Sequence, residues 1–136
     1  MKLTIKTIYG IQALFELAKH SGEELKSAQI AEAQNIPARY LEQILNTLKK
    51  NKLVKSLRGN KGGYVLSKAA KEISLLNVIE AVEGQITFAA QTSGDSAIKS
   101  VLKEIEKGLA DKLGKITLES LLNEKNKQDS VFNFSI

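Results

Sequence analysis

The segment that most constrains the fold lies between residues 27 and 51, where two helical patterns are separated only by Gln34-Asn35-Ile36. The first pattern begins at Ser27, whose hydroxyl is expected to cap free backbone amides. The second begins at Pro37, because proline is favoured in the first turn of a helix, and it continues to about Asn51. Two helices connected this closely, the second amphipathic, are typical of a helix-turn-helix.

The second of these helices has two chemically different faces. At about 100° per residue, its apolar side chains form one stripe, which consists of Leu41, Ile44, Leu45 and Leu48. The side chains nearly opposite are Arg39, Gln43, Asn46 and Lys50. Arginine suits a guanine edge, amides suit adenine, and a carboxylate such as that of Glu42 accepts from cytosine. The pattern therefore predicts an exposed helix that enters the major groove of DNA.

A β-hairpin is predicted directly after this helix. Two β-prone runs, residues 53–58 and 63–66, lie on either side of residues 59–62, whose glycines supply the positive φ values of a hairpin turn. Turn geometry alone explains the glycines, but it does not explain the positive charge of the hairpin. Lys55, Arg58 and Lys61 occur in this segment, and no Asp or Glu occurs between Leu53 and Lys71. We expect Arg58 to enter a narrow minor groove, where the negative potential is concentrated, and the alternative is an ordinary surface arginine.

The charge is distributed unevenly along the chain. Residues 1–71 contain 13 Lys and Arg against 5 Asp and Glu, whereas residues 72–136 contain 7 against 10. A basic half favours a nucleic-acid partner, and the mildly acidic half favours a segment for assembly or regulation. A solvated lysine-rich surface is the alternative.

The other helices are predicted over residues 4–20, 75–83, about 95–113 and about 118–124. The tail, residues 131–136, alternates apolar and polar side chains and is expected to pair or dock. Residues 85–94 carry no charge and are predicted to form a loop. This loop is either a connector or an effector site, and its candidate ligand contacts are Phe88, Gln91 and Thr92.

The long fifth helix carries one narrow apolar seam. Its members are Ile98, Val101, Leu102, Ile105, Leu109 and Leu113. A small helix-turn-helix module has little spare core for such a seam, so we predict a dimer interface, with packing against the first helix as the alternative. Gly108, inside the helix, permits a kink or a close crossing.

Several classes of protein are excluded by composition. The chain has no cysteine, which excludes disulfides, thiolate catalysis and cysteine-held clusters, and its single histidine, His20, is predicted to cap the first helix. No apolar run approaches the roughly 18 residues of a membrane span, and the N-terminal residues lack the basic-then-apolar pattern of a cleaved signal, so a cytoplasmic location is expected. No titratable pair is placed for acid–base chemistry, so no enzyme is expected.

Three motifs together resemble a known family over essentially the whole chain. They are Thr4-x-Lys6-x-x-Tyr9-Gly10, Arg39-Tyr40-Leu41-Glu42-Gln43 and Leu57-Arg58-Gly59-x-x-Gly62-Gly63-Tyr64, followed by a long helix. This combination resembles the Rrf2 family of bacterial winged-helix transcription regulators. The resemblance implies a homodimer crossed through the long helix, with the Arg39–Gln43 segment in the major groove of each half-site and Arg58 in the minor groove.

The chain also departs from the family pattern. Cluster-binding members carry cysteines before the long helix, whereas residues 85–96 contain none, so the chain is similar to the cluster-free branch. Residues 83–88 and 134–136 are similar to segments of a cluster-free member that represses cysteine metabolism and acts with a cysteine synthase. That similarity implies a cysteine-synthase-like partner or a small-metabolite effector. Thr7-Ile8 replaces the Gly-Arg pair of many members, which leaves Lys6 to contact phosphate from the first helix.

These observations predict a mainly α (α+β) fold: a winged helix-turn-helix domain with a two-stranded wing and a long C-terminal dimerisation helix. The expected divisions are 1–83 for DNA binding, 84–94 for the connection and 95–136 for dimerisation. The expected function is a homodimeric repressor that recognises a palindromic operator, without an iron–sulfur cluster. The alternative is a protein-interaction module with only non-specific nucleic-acid binding.

The residues predicted to contact DNA are Lys6, Tyr9, Ser27, Ala38, Arg39, Tyr40, Glu42, Gln43, Asn46, Lys50, Arg58, Asn60 and Lys61. Among them Tyr40 lies at the flank of the exposed face. It is expected either to contact phosphate or to close the core.

Overall fold

The computed structural model describes residues 3–58, 62–87 and 94–135, with side chains through residue 132. The described elements are α1 (Ile5–Lys19), α2 (Ser27–Gln34), α3 (Ala38–Lys50), β1 (Val54–Leu57), β2 (Gly63–Leu66), a 3₁₀ turn (Ala70–Glu72), α4 (Leu75–Glu83), α5 (Ser96–Lys115) and α6 (Leu118–Ser135). The mainly helical winged fold expected from the sequence is confirmed.

The ends of the first two helices follow from local hydrogen bonds. The Thr4 side chain caps the start of α1, and His20 caps its end as predicted, with its N–H donating to the carbonyl of Leu17. α2 begins at Ser27, but the capping role expected for Ser27 is wrong, because the chain enters the helix one residue earlier. The side-chain oxygen of Gln29 accepts from the backbone N–H of Lys26 at 2.8 Å, so Ser27 is already inside the first turn.

The core lies between α1 and α3, with contributions from α2, α4 and α6. The predicted apolar stripe of α3 is buried throughout and packs with residues such as Leu14 and Leu17 of α1. Gly10 of α1 faces both neighbouring helices, because an added Cβ there would lie 3.4 Å from Val78 and 3.8 Å from Ile44. Gly10 therefore lies where α1 contacts both α3 and α4, at ordinary van der Waals distances.

The predicted wing is a two-stranded antiparallel sheet. Its register pairs Val54 with Leu66 and Leu57 with Gly63. Leu25, from the segment before α2, adds a bridge to Tyr64, whose N–H donates to the Leu25 carbonyl at 2.8 Å. A Cβ at Gly63 would lie 2.9 Å from that carbonyl oxygen, so glycine is required there by the close approach of a third segment.

α4 and α5 begin as their sequences predict. Ser74 caps α4 by accepting from the Asn77 N–H at 3.1 Å, and Asp95 caps α5 by accepting from the Ala97 N–H at 2.9 Å. α5 continues to Lys115, slightly beyond the expected end, and is about 30 Å long at 1.5 Å per residue. No residue of α5 is buried, and within the described part of the chain it packs mainly against α4 rather than α1.

α6 corrects two expectations. It runs from Leu118 to Ser135 as one helix, so the predicted end near residue 124 is wrong, and the tail does not pair as a strand but continues the helix. Thr117 and Ser120 cap its start reciprocally at 3.1 Å, and the pair Lys125–Asp129 supports the exposed turns. No glycine or proline interrupts residues 118–135, whereas a six-residue alternating run is too short to specify a strand. Ile136 lies outside the described residues.

The beginning of α6 belongs to the central core. Leu118 is fully buried in the same cluster as the α1 and α3 side chains, and its N–H donates to the carbonyl of Ile73 at 2.9 Å. Of the helices that the structure describes, none combines the length and the apolar character needed to cross a membrane.

Candidate nucleic-acid interface

α3 displays a polar face that no other described element covers. Each of the predicted contact residues on this helix is exposed, namely Ala38, Arg39, Tyr40, Glu42, Gln43, Asn46 and Lys50. The apolar stripe on the opposite side is buried. The helix therefore offers side-chain amides, a guanidinium and a carboxylate from a rigid and well-anchored backbone.

Tyr40 does not close the core. Its side chain is 39% exposed, and the guanidinium carbon of Arg39 lies 5.2 Å from the centroid of its ring. A guanidinium over an aromatic face is attracted by the quadrupole of the ring. The ring therefore restrains Arg39 near the amino end of α3, and contact with phosphate remains the prediction for the Tyr40 hydroxyl.

Lys6 lies on one flank of α3. A small cleft of about 70 Å³ is lined by Lys6, Gln43, Ile44, Thr47 and Val82. The first turn of α1 thus brings an ammonium group beside the exposed face of α3. The hydroxyl of Thr47 donates to the carbonyl of Gln43 at 3.1 Å, and nothing in the sequence pattern had singled out this threonine.

A carboxylate from α4 holds the amino end of α1. Glu83 Oε1 accepts hydrogen bonds from the hydroxyls of Thr4 and Thr7, the latter at 2.7 Å. The bond from Thr4, followed by that from Thr7, lowers the pKa of Glu83 below its ordinary value. Thr7 is fully buried, so its hydroxyl is satisfied inside the protein. The sequence separates Thr7 from Glu83 by 76 positions, and no local signal joins them.

The other flank of α3 carries a basic groove beside the wing, which we call the lysine groove. Val54 and Leu57 are among the residues that line it, and its volume is about 530 Å³. The lysines that line it are Lys49, Lys52, Lys55 and Lys68. Within the described ranges none of these lysines forms an ion pair with a carboxylate. Lys68 lies beyond the predicted wing, and no sequence motif indicates it as a contact residue.

The remaining predicted contact residues differ in exposure. Arg58, at the end of β1, is exposed. Tyr9 is half-buried and packs against the core, and Ser27 is half-buried at the start of α2. Asn60 and Lys61 lie outside the described residues, as do Phe88, Gln91 and Thr92 of the predicted connecting loop.

The predicted dimer seam of α5 is open on its outer side. Ile98, Val101 and Ile105 are 54%, 55% and 52% exposed, and Leu102, Leu109 and Leu113 are half-buried. A Cβ at Gly108 would have no neighbour within 4 Å among the described atoms. Packing of the seam on α1, the alternative weighed from the sequence, is therefore not observed.

Comparison with known proteins gives consistent matches along most of the chain. The model of the Rrf2 family, described as "Iron-dependent Transcriptional regulator", matches residues 3–124. The HTH-type transcriptional regulator IscR of Pectobacterium carotovorum is 37% identical over 137 residues, which cover 95% of this chain and 84% of IscR. The matched proteins are transcriptional regulators rather than enzymes, as the sequence predicts.

Two solved structures share the fold at substantial identity. IscR of T. potens has a TM-score of 0.78 and 36% identity, covering 92% of this chain and 88% of its own. CymR, the global cysteine regulator of B. subtilis, has a TM-score of 0.81 and 31% identity, covering 91% of this chain and 98% of its own.

The description of the family model mentions iron, but the residues of this chain do not fit an iron site. The chain contains no cysteine. In the described ranges no group of three His, Asp or Glu residues is placed to hold a metal ion. The single histidine, His20, lies 3.2 Å from Glu16 at the end of α1. Neither thiolates nor clustered imidazoles are therefore present for a metal.

Proposed function

The chain belongs to the Rrf2 family of transcriptional regulators, and from this premise we propose that it binds a palindromic operator as a homodimer and represses the promoters that it occupies. α3 enters the major groove of each half-site, and Arg58 enters the adjacent minor groove. No iron–sulfur cluster takes part, because the chain has no cysteine.

The observation that carries this proposal is the arrangement of cations around α3. Lys6 borders the flank that includes Gln43 and Thr47, whereas the lysine groove borders the flank that includes Lys49. A helix in the major groove, which is about 12 Å wide, lies between two phosphate backbones. Each basic flank then faces one backbone, while the polar face between them meets base edges.

The exposed seam of α5 supports the homodimer. Three of its apolar side chains are more than half exposed, and this contiguous apolar line needs a partner surface. A second copy supplies the same seam in a symmetric arrangement, and Gly108 allows close approach where two helices cross. Two recognition helices related by a twofold axis then match a palindromic site.

The functional divisions that accompany the proposal are 1–83 for DNA binding, 84–94 for the connection and 95–136 for dimerisation. These divisions separate functions and not independently folded domains, because Leu118 of residues 95–136 is buried in the core formed by residues 1–83. The effector of the protein, whether a cysteine-synthase-like partner or a small metabolite, is a prediction from family resemblance. A pull-down from cell extract and thermal-shift measurements with O-acetylserine test it, and failure of both removes its support.

Selection of bound sequences from random duplex DNA tests the proposal. The selected site and a scrambled control are then titrated by fluorescence anisotropy at two salt concentrations. We expect a palindromic site bound at least about 10³-fold more tightly than the control. If both duplexes bind equally and both lose affinity with salt, the chain is a module with only non-specific nucleic-acid binding.

A further inference from the structure

The contact between Glu83 and the first turn of α1 joins two distant parts of the chain. Thr4 and Thr7 both donate their hydroxyls to the same carboxylate oxygen, and Thr7 is fully buried. The Thr4 hydroxyl also accepts from the backbone N–H of Thr7. One carboxylate therefore fixes the cap and the first turn of α1 together, and we call these three residues the Glu83 clamp.

The clamped turn also carries Lys6. Lys6 lies between the two clamped threonines in sequence and lines the cleft that it shares with Gln43 and Thr47 of α3. Lys6 is exposed and forms no salt bridge within 4 Å in the described part of the chain, although its positive charge is close enough to Glu83 to contribute to the lowered pKa of that carboxyl. The position of Lys6 relative to α3 therefore depends on the backbone of the turn, which the clamp holds.

The negative charge of Glu83 lowers the affinity for DNA unless the carboxylate has a structural role. An acidic side chain on the edge of a DNA-binding face repels phosphate, and this costs binding free energy. The hydroxyls of Thr4 and Thr7 donate hydrogen bonds to the Glu83 carboxylate. The carboxylate also lies at the amino end of α1, where the helix dipole stabilises a negative charge. The pKa of Glu83 is lowered by the Thr4 and Thr7 hydrogen bonds, so the carboxylate is ionised at neutral pH.

Glu83 is also the last residue of α4. Gly84 follows with φ +88 and ends the helix, and from there the chain leads to α5 with its apolar seam. The clamp thus lies where the DNA-binding helices join the connection to the proposed dimer helix.

We propose that Glu83 is a positioning residue for DNA binding: through Thr4 and Thr7 it holds Lys6 in register with α3, so that a phosphate contact by Lys6 and a base contact by Gln43 form together. This inference rests on the proposed function. It extends that function by linking the end of α4 to one phosphate contact of the DNA-binding face.

Thr7→Val tests the clamp with little change in volume, because it replaces one hydroxyl by a methyl group. We expect operator affinity to fall about 10-fold and the salt dependence of log K to lose about one phosphate contact, a slope change of about 0.9. Thr7→Ser, which keeps the hydroxyl, restores most of the affinity. Glu83→Gln keeps an oxygen acceptor but also removes a negative charge that repels phosphate, so its loss of affinity is smaller than that of Thr7→Val.

A double-mutant cycle separates positioning from general destabilisation. The effects of Thr7→Val and Lys6→Ala on operator affinity are expected to be non-additive, because a misplaced Lys6 already contributes little to binding. Thr7→Val and Lys55→Ala are expected to be additive, because Lys55 lies in the lysine groove on the other flank of α3. The matched control is Thr117→Val, which removes the capping hydroxyl of α6 and should lower Tm without changing the salt slope.

The inference is overturned if Thr7→Val and Glu83→Gln bind the operator like the wild type, or if Thr7→Val and Lys6→Ala are additive. Should Thr7→Val fail to fold, the same cycle is measured with Glu83→Gln. Failure of the proposed function itself is distinguishable, because the wild-type protein would then bind the operator and a scrambled duplex equally.

Discussion

At the scale of single residues, Glu16 is the clearest case of chemistry that periodicity does not reveal. This carboxylate lies on the buried side of α1, 2.7 Å from the Lys19 ammonium, and accepts from the side-chain amide of Gln34 at 2.8 Å. His20 lies 3.2 Å from its second oxygen. Burial alone raises the pKa of Glu16, but the bonds from Lys19 and Gln34 and the nearby positive charges outweigh it and lower the pKa below the ordinary value.

Glu16 should therefore make stability sensitive to acid. A carboxyl whose pKa is lowered by folding contributes fully above its unfolded value, ordinarily 4.5, and the contribution is lost as pH falls through the folded value. Glu16→Gln is expected to lose about 1–3 kcal/mol of unfolding free energy at pH 7, because a buried hydrogen-bonding group is altered. Urea unfolding between pH 7 and pH 3 measures both effects. A variant whose acid sensitivity equals that of the wild type would contradict the assignment.

Gln43 and Lys50 provide a matched pair on the exposed face of α3. Gln43→Ala is expected to relax one base position at a cost of about 1–3 kcal/mol in operator binding, because an amide contact to a base edge is lost. Lys50→Ala should weaken all duplexes alike and reduce the salt slope, because phosphate contacts carry no base information. Anisotropy titrations against single-base operator variants distinguish the two. A uniform loss for Gln43→Ala would mean that it contacts only the backbone of the DNA.

At the scale of elements, the wing depends on a segment outside the hairpin. Tyr64 of β2 and Leu25 exchange both backbone hydrogen bonds, at 2.8 and 3.1 Å. The wing is therefore anchored to the body of the protein just before α2. Because β1 pairs with β2, this anchor also fixes the backbone of Leu57, directly before Arg58. The insertion of Arg58 into the minor groove is a proposal.

Gly63→Ala tests that anchor. The added Cβ would meet the carbonyl oxygen of Leu25 at 2.9 Å and its carbon at 3.1 Å, both backbone atoms that cannot move aside cheaply. We expect a loss of about 1–3 kcal/mol in unfolding free energy, as for overpacking. Amide hydrogen exchange should accelerate at Tyr64 while Val78 in α4 stays protected. Unchanged exchange at Tyr64 would show that the wing tolerates the methyl group.

At the scale of the whole molecule, α5 and α6 place apolar side chains on the surface. The α5 seam includes Ile98 and Ile105, and the outer turns of α6 expose Val131 and Phe132, at 61% and 66%. The proposed homodimer covers the α5 seam. Occupancy of two half-sites at once requires that dimer, so assembly and operator affinity should be lost together.

Leu102→Glu is expected to separate the dimer, because it places a charge in the middle of the apolar seam. The matched control is Lys107→Glu, a charge change on the opposite, exposed face of α5. Analytical ultracentrifugation should give a monomer for the first variant and a dimer for the second. A dimer for Leu102→Glu would mean that the seam is not the interface.

The positions and types of α1 to α5 and of both wing strands could be predicted from the sequence. The pattern that buries Leu41 and Leu48 while exposing Arg39 and Lys50 is local, and so are the caps at Ser74 and Asp95. The α6 prediction failed for a local reason as well, since six alternating residues do not distinguish a strand from the end of a helix. The exposed face of α3, including most predicted DNA contacts, follows from the same periodicity.

Tertiary structure alone decided which distant residues meet. The bond from Thr7 to Glu83, the pairing of Leu25 with Tyr64 and the burial of Leu118 in the central core each join segments far apart in sequence. Periodicity records which side of an element is buried, but it does not record the partner. The partner is set by packing of whole elements, such as the contacts of α1 with α3 and α4 around Gly10, so these contacts exist only once the chain has folded.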